Sequence, residues 1–107
     1  MNEPERLRPI ETVAQSWRFI DTITNGIDVA DRWQCGTVCV VSTVDFEPVP
    51  RHWEYHLSVH VEGASKTPPS EIVLQAVCAA FGLPAALARR ESAREKPGIV
   101  HLYADVP

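Results

Sequence analysis

The sequence lacks a long apolar run and the common nucleotide-binding motifs. No apolar run in the 107 residues approaches the length of roughly 18 residues that a membrane helix needs, so we expect no membrane association. The first twelve residues are charged and contain no apolar region, so we expect no secretory signal and a cytoplasmic location. Glycine-rich phosphate-binding loops and paired CxxC motifs are absent, which excludes nucleotide-cradling loops and zinc ribbons.

Cysteine is scarce, and the few thiols are unsuited to crosslinking. The three cysteines are Cys35, Cys39 and Cys78, and an odd number without a signal is typical of reduced thiols. Cys35 and Cys39 lie in a β-branched segment that predicts a strand, where residues four apart are about 13 Å from each other. This distance excludes a disulfide between them and chelation of one ion by the pair.

Basic residues are too few for general binding to nucleic acid. The chain carries 14 acidic and 10 basic residues, and residues 1–64 hold ten of the acids against five bases. Nucleic-acid binding depends on Lys and Arg to displace counterions from phosphate, so we do not expect a nucleic-acid partner. An acidic surface is compatible with a basic protein partner, which it would attract over a distance.

Length and composition predict one folded domain. A chain of 107 residues with 45% hydrophobic residues has room for a single core. Residues 1–9 are polar and contain two prolines, so we expect a flexible arm there and a domain over residues 10–107.

Three segments have helical patterns. Apolar residues recur at helical spacing from Ile10 to Ile23, and Asn25-Gly26 would end that helix. A second helix begins with Thr67 or Ser70 as its N-cap and ends at Gly82. A third, shorter helix is expected over residues 84–95, while residues 27–34 read as a helical turn or a loop.

Three further segments have strand patterns, at Cys35–Val44, Trp53–Glu62 and Ile99–Ala104. Prolines within residues 45–50 predict a break after the first strand, since proline lacks the N–H that a central strand donates. The expected fold is α+β, in the order α-β-β-α-α-β, with an antiparallel sheet of at least three strands and helices packed on one face.

The second strand has the clearest alternation of apolar and polar residues in the chain. Its polar face would meet solvent or a partner, and Trp33, in an irregular stretch, is a candidate surface anchor. The predicted partner-binding residues are Trp33, His52, Glu54, His56, Ser58, His60 and Glu62. His56 and His60 are about 13 Å apart on a strand and cannot share an ion, so we expect no metal and no cofactor. A site that joins one of them to His101 on another strand remains an alternative.

The segment His56-Leu57-Ser58-Val59 resembles one half of the paired H-hydrophobic-S/T-hydrophobic motif of the 2H phosphoesterases. The second half would be His101-Leu102-Tyr103-Ala104, where tyrosine replaces the expected Ser or Thr. The resemblance implies that His56 and His101 act as acid and base on a phosphoester, with Ser58 holding the phosphate. It requires the two histidines to converge.

Three segments of the C-terminal half, Glu54–Val61, Thr67–Phe81 and Ile99–Tyr103, together resemble small proteins of phages and prophages. This resemblance implies an accessory, non-enzymatic role in the bacterial cytosol. The first hypothesis is therefore a protein-binding module, an inhibitor of a host defence protein that acts by steric occlusion. The alternative is a minimal 2H-like phosphoesterase, and a homodimer formed through a strand edge is compatible with either hypothesis.

Overall fold

The computed structural model describes residues 3–26, 28–64, 66–84, 89–92 and 98–107. Its strands are Arg18–Asn25 (β1), Asp28–Cys35 (β2), Val38–Pro48 (β3), Arg51–Val61 (β4), Arg89–Ser92 (β5) and Val100–Asp105 (β6), and its α-helix is Glu71–Ala80 (α1). The six strands form one antiparallel sheet in the order β1-β2-β3-β4-β6-β5. Strand β4 therefore lies inside the sheet, between β3 and β6.

The expected α+β fold with several helices is wrong. Most of the described chain is antiparallel sheet, and α1 is the single α-helix in that part of the chain. The protein is β-rich, because two of the three segments that were predicted as helices contribute strands.

The segment from Ile10 to Ile23 is the first of these. It forms a short 3-10 turn at Ala14–Ser16 and then enters β1. Its helical spacing arises from two unrelated parts: Val13 and Trp17 pack against the core before the strand begins, and a bulge between Phe19 and Asp21 interrupts the alternation of β1. Asn25-Gly26 belongs to a hairpin turn rather than a helix end, since Asn25 pairs with Asp28.

The second correction concerns residues 27–34 and 45–50. Residue 27 lies outside the described residues, and Asp28–Cys35 forms strand β2, not a helical turn or a loop. Strand β3 continues through the predicted break to Pro48, which pairs with Arg51 at the very end of the ladder, where proline is tolerated.

The third predicted helix, over residues 84–95, is also wrong where the chain is described. Arg89–Ser92 forms β5 and pairs with β6 at the edge of the sheet. The predicted helix residues 85–88 and 93–95 lie outside the described residues.

Three predicted elements are confirmed because their signals are local. Strand β4 has the predicted alternation, and β6 follows the predicted final strand. Helix α1 begins after Ser70, whose hydroxyl oxygen accepts a hydrogen bond from the Val73 backbone N–H. Gly82, at a φ of 71°, follows the helix, and its N–H donates to the Ala79 carbonyl.

The core lies between α1 and one face of the sheet. Leu57, Val59 and Leu102 of the sheet are at most 1% exposed and belong to one cluster with Val77 and Cys78 of α1. Leu7 also packs against this cluster, and the Ile10 N–H donates to the Ala80 carbonyl. We call this side of the sheet the inner face and the opposite side the outer face.

The three cysteines are free. The predicted single strand over Cys35–Val44 is wrong at its start, because Cys35 ends β2 and Cys39 lies in β3. The register places these two thiols on opposite faces of the sheet. No helix among the described residues is both long and apolar enough to cross a membrane.

Candidate functional site

The outer face of β3, β4 and β6 collects most of the polar residues that the sequence singled out. Residues directly opposite each other in a ladder share a face, so the register defines rows across the three strands. From one end of β4 to the other, these rows are Glu47–His52, Asp45–Glu54–Asp105, Thr43–His56–Tyr103, Val41–Ser58–His101 and Cys39–His60. The outer face is therefore polar along the whole length of β4, with its carboxylates gathered at one end.

Two histidines meet at the centre of this face. His56 Nε2 and His101 Nδ1 are 2.7 Å apart, and the two rings meet edge to edge, with centroids 4.9 Å apart and planes inclined by 29°. The Ser58 hydroxyl lies 3.2 Å from His101 Nδ1 and 3.5 Å from His56 Nε2. The Tyr103 ring stacks on the His56 ring, with centroids 4.7 Å apart and planes inclined by 5°. We call His56, Ser58, His101 and Tyr103 the histidine cluster.

The 2.7 Å contact restricts the protonation of the histidine cluster. In a hydrogen bond between two ring nitrogens, one must carry the proton and the other must accept it. The pair therefore shares one proton at this contact. The Ser58 hydroxyl oxygen can accept a second, bifurcated hydrogen bond from the nitrogen that carries the shared proton.

A second group lies at the end of the outer face, next to the turn between β3 and β4. His52 Nε2 is 3.2 Å from Asp105 Oδ1 and 3.7 Å from Glu54 Oε2. An open cleft of about 760 Å³ borders these side chains and is also lined by Glu47 and Val49. We call His52, Glu54 and Asp105 the carboxylate triad, and these residues have the donor atoms that a metal ion needs.

The pKa of His52 is raised above its ordinary value. The main cause is the hydrogen bond between its ring and the Pro50 carbonyl, and the nearby carboxylates of Asp105 and Glu54 add to the effect. Partial removal of the ring from water opposes the shift. The shift extends to higher pH the range in which His52 is the charged imidazolium, the form that pairs with both carboxylates.

The predicted partner-binding residues do not form one surface. Trp33 lies on the inner face, where its ring packs edge-on against Phe19 at 5.1 Å and Phe81 at 6.2 Å. It is half-buried against the core, whereas the polar residues from His52 to Glu62 lie on the outer face. A flat partner surface cannot contact both sides of the sheet, so Trp33 does not belong with the other six residues.

The sequence also left some residues of the site unrecognised. Asp105 and Glu47 were not singled out, because their proximity to His52 depends on the pairing of β4 with β6 and with β3. In the sequence, Tyr103 was only a departure from the 2H motif, whereas in the structure its ring stacks on His56. Alternation within β6 was the available signal, since His101, Tyr103 and Asp105 are two residues apart.

Comparisons with protein-family models, with curated proteins and with solved structures find no match for this chain.

Proposed function

We propose that this chain is a non-enzymatic protein-binding module whose contact surface is the outer face of its sheet. The observation that carries the proposal is the concentration of carboxylates on that face. Four carboxylates lie in two adjacent rows at one end of the face, next to the histidine cluster: those of Asp45, Glu47, Glu54 and Asp105. Such a surface is complementary to a basic surface on another protein and would steer the approach of that partner.

The position of α1 supports this choice of surface. The helix covers the inner face and contributes Leu74, Val77 and Cys78 to the core. The outer face is consequently where strands β3, β4 and β6 present side chains to the surroundings. The partner follows from the resemblance to small phage proteins: a bacterial host protein that is blocked by occlusion rather than by turnover.

The geometry of the histidine cluster favours binding over catalysis. A phosphate oxygen held by both rings would lie about 2.8 Å from each nitrogen, between them. The two nitrogens are instead 2.7 Å from each other and bond directly. In this arrangement, the imidazoles satisfy each other and stiffen the centre of a contact surface.

Site-specific photo-crosslinking in bacterial cells tests the proposal. One variant carries a benzophenone amino acid in place of Glu62, which is exposed at the outer face. A matched control carries it in place of Ile72, which is 79% exposed on α1, on the other side of the molecule. We expect a discrete adduct with a bacterial protein from position 62 and none from position 72.

Two changes in the Glu62 crosslinking variant make the test specific. Glu47→Lys should weaken the adduct by removing the charge complementarity, and the His56→Ala/His60→Ala double change should weaken it with the circular dichroism spectrum unchanged. An adduct of equal strength from position 72, or one that survives both changes, would contradict the proposal.

A second candidate function, hydrolysis of phosphodiesters, is favoured by the convergence of His56 and His101. The 2H-like hypothesis requires two histidines on one face of neighbouring strands, and the structure has them in contact. Substrate would have to separate the rings. One imidazole would then accept a proton from a water molecule as its oxygen bonds to phosphorus, and the other would donate a proton to the leaving alkoxide as its P–O bond breaks, while Ser58 would donate a hydrogen bond to the phosphate.

An assay with linear and cyclic phosphodiesters decides this candidate. If it is correct, His56→Ala and His101→Ala should each lower turnover by about 10²-fold to 10⁴-fold, the range for loss of a general acid or base. His60→Ala, on the same face, should leave turnover unchanged. Absence of turnover in the unmodified protein, or turnover that persists in His101→Ala, would eliminate it.

A further inference from the structure

We propose that the carboxylate triad of His52, Glu54 and Asp105 binds a divalent transition-metal ion of the Zn²⁺ type. The inference uses two of the carboxylates that carry the proposed function, but it does not require a protein partner, because metal binding needs only the three donor groups of this chain. It rests on the spacing of the donor atoms, the fixed tautomer of His52 and the burial of Glu54.

The two distances from His52 to the carboxylates have the spacing that a small cation requires. One nitrogen of His52 and one carboxylate oxygen each from Glu54 and Asp105 all lie within 4.8 Å of one another. Ligand atoms around a tetrahedral Zn²⁺, at about 2.0–2.1 Å from the metal, are roughly 3.3 Å apart. The distances of 3.2 Å and 3.7 Å from His52 Nε2 to the two carboxylates are close to this value.

The His52 ring is oriented in the way that metal-binding histidines are. Its Nδ1 lies 2.7 Å from the Pro50 carbonyl oxygen. Since a carbonyl oxygen can only accept, Nδ1 must donate its N–H, and Nε2 is the atom directed at the carboxylates. Metal-bound histidines almost always donate their second ring N–H to a carbonyl or carboxylate, which fixes the tautomer and the ring orientation.

Charge and burial point to the same site. The Glu54 side chain is only 8% exposed, so the surrounding residues hold its carboxylate in position at the site. Two carboxylates beside one neutral imidazole match the charge of a divalent ion. Glu47 lines the same cleft and pairs with His52 in the register, so it is placed to supply a further oxygen directly or through water.

The donor set indicates which class of ion fits. One imidazole nitrogen with two carboxylates suits Zn²⁺ and its neighbours in the first transition series, whereas Mg²⁺ and Ca²⁺ prefer oxygen ligands alone. A tetrahedral Zn²⁺ with these three ligands would leave its fourth position to Glu47 or to water.

Calorimetric titration of the full chain, without an affinity tag, with ZnCl₂ is the test. We expect one bound ion per chain. Loss of a group that only orients a metal ligand lowers affinity by about 10-fold to 100-fold, so His52→Ala and Asp105→Asn should each lower it by at least about 10-fold. Asp105→Asn keeps the test informative even if His52→Ala misfolds, because the Asp105 side chain is 80% exposed.

Two controls separate this site from other histidines. His60→Ala, on the same strand and face, and His101→Ala, in the histidine cluster, should bind Zn²⁺ as the unmodified chain does. In a ¹⁵N NMR spectrum, the His52 Nε2 resonance should shift on addition of Zn²⁺ while Nδ1 keeps its proton. Absence of binding, or binding that is weakened by His101→Ala and not by Asp105→Asn, would overturn the inference.

Discussion

His56 and His101 are 45 positions apart in the chain, and their ring nitrogens are 2.7 Å apart in the structure. Their proximity follows from the register of β4 with β6, in which Ser58 is opposite His101 and His56 is opposite Tyr103. The two histidines are therefore diagonal neighbours, a position from which long or flat side chains reach each other. A register shift of one residue would move one histidine to the inner face and abolish the cluster.

At the residue scale, the Asp21–Arg32 pair gives a pH-dependent contribution to stability. Arg32 donates from Nε and Nη2 to the two carboxylate oxygens of Asp21, at 2.6 Å and 2.5 Å, and so ties β1 to β2. These hydrogen bonds are the main cause that lowers the pKa of Asp21, and the charge of Arg32 adds to them. A lowered pKa means that the pair stabilises the fold at pH values above the unfolded-state pKa of about 3.9.

We therefore expect Asp21→Asn to be less stable than the unmodified protein near neutral pH. The difference should shrink as the pH falls through the lowered pKa of Asp21, because the carboxylate is then protonated in both states. Urea denaturation at a series of pH values measures it. In an Arg32→Gln background, Asp21→Asn should have little effect at any pH, and an equal loss of stability there would contradict the assignment to this pair.

At the scale of elements, α1 formed where its capping signals predicted it. The sequence offered Thr67 or Ser70 as N-cap, and the structure selects Ser70, whose Oγ accepts from the Val73 N–H at 3.3 Å. Ser70→Ala should lower the free energy of unfolding by about 1 kcal/mol, the usual contribution of such a cap. Chemical denaturation checks the value.

Thr67→Ala is the matched control for the cap. Thr67 is exposed and precedes the helix, so its replacement should change the free energy of unfolding by no more than about 0.5 kcal/mol. If Thr67→Ala cost as much as Ser70→Ala, the helix would begin earlier than the structure indicates.

Strand β1 shows why another element could not be predicted. Ile10, Trp17 and Ile23 have helical spacing, but Ile10 and Trp17 lie on either side of the short 3-10 turn and Ile23 lies in the edge strand β1. The spacing of apolar residues reports which side chains are buried, and in this segment they are buried by contacts with parts of the chain that are distant in sequence. Phe19 packs on Trp33 of β2, and the Ile10 N–H bonds to α1 through the Ala80 carbonyl.

At the scale of the whole molecule, apolar side chains lie on the inner face of the sheet and polar side chains on its outer face. The inner face and α1 bury the apolar residues of β4 and β6, such as Leu57 and Leu102. The outer face carries the histidine cluster at its centre and the carboxylate triad at one end. Both proposals depend on this division, one on the overall charge of the outer face and the other on three donor atoms at its end.

Local patterns were sufficient for β4, α1 and β6. In β4, the alternation from Trp53 to Glu62 specified the conformation and which side chains would share a face, because a strand has a period of two residues. For α1, the cap at Ser70 and the stop at Gly82 specified the helix within a single stretch of chain. These signals depend on residues only a few positions apart, so the sequence alone was enough to predict both elements.

Tertiary structure alone decided which strands became neighbours, and with that the composition of both sites. His101 reaches His56, and Asp105 reaches His52, because β6 returns to pair with β4 after the helix. Pairing between strands is set by the burial of a shared inner face and by the closure of long loops, neither of which is encoded in any short segment. The polar alternation of β4 could thus be read from the chain, whereas the partners of its histidines required the folded sheet.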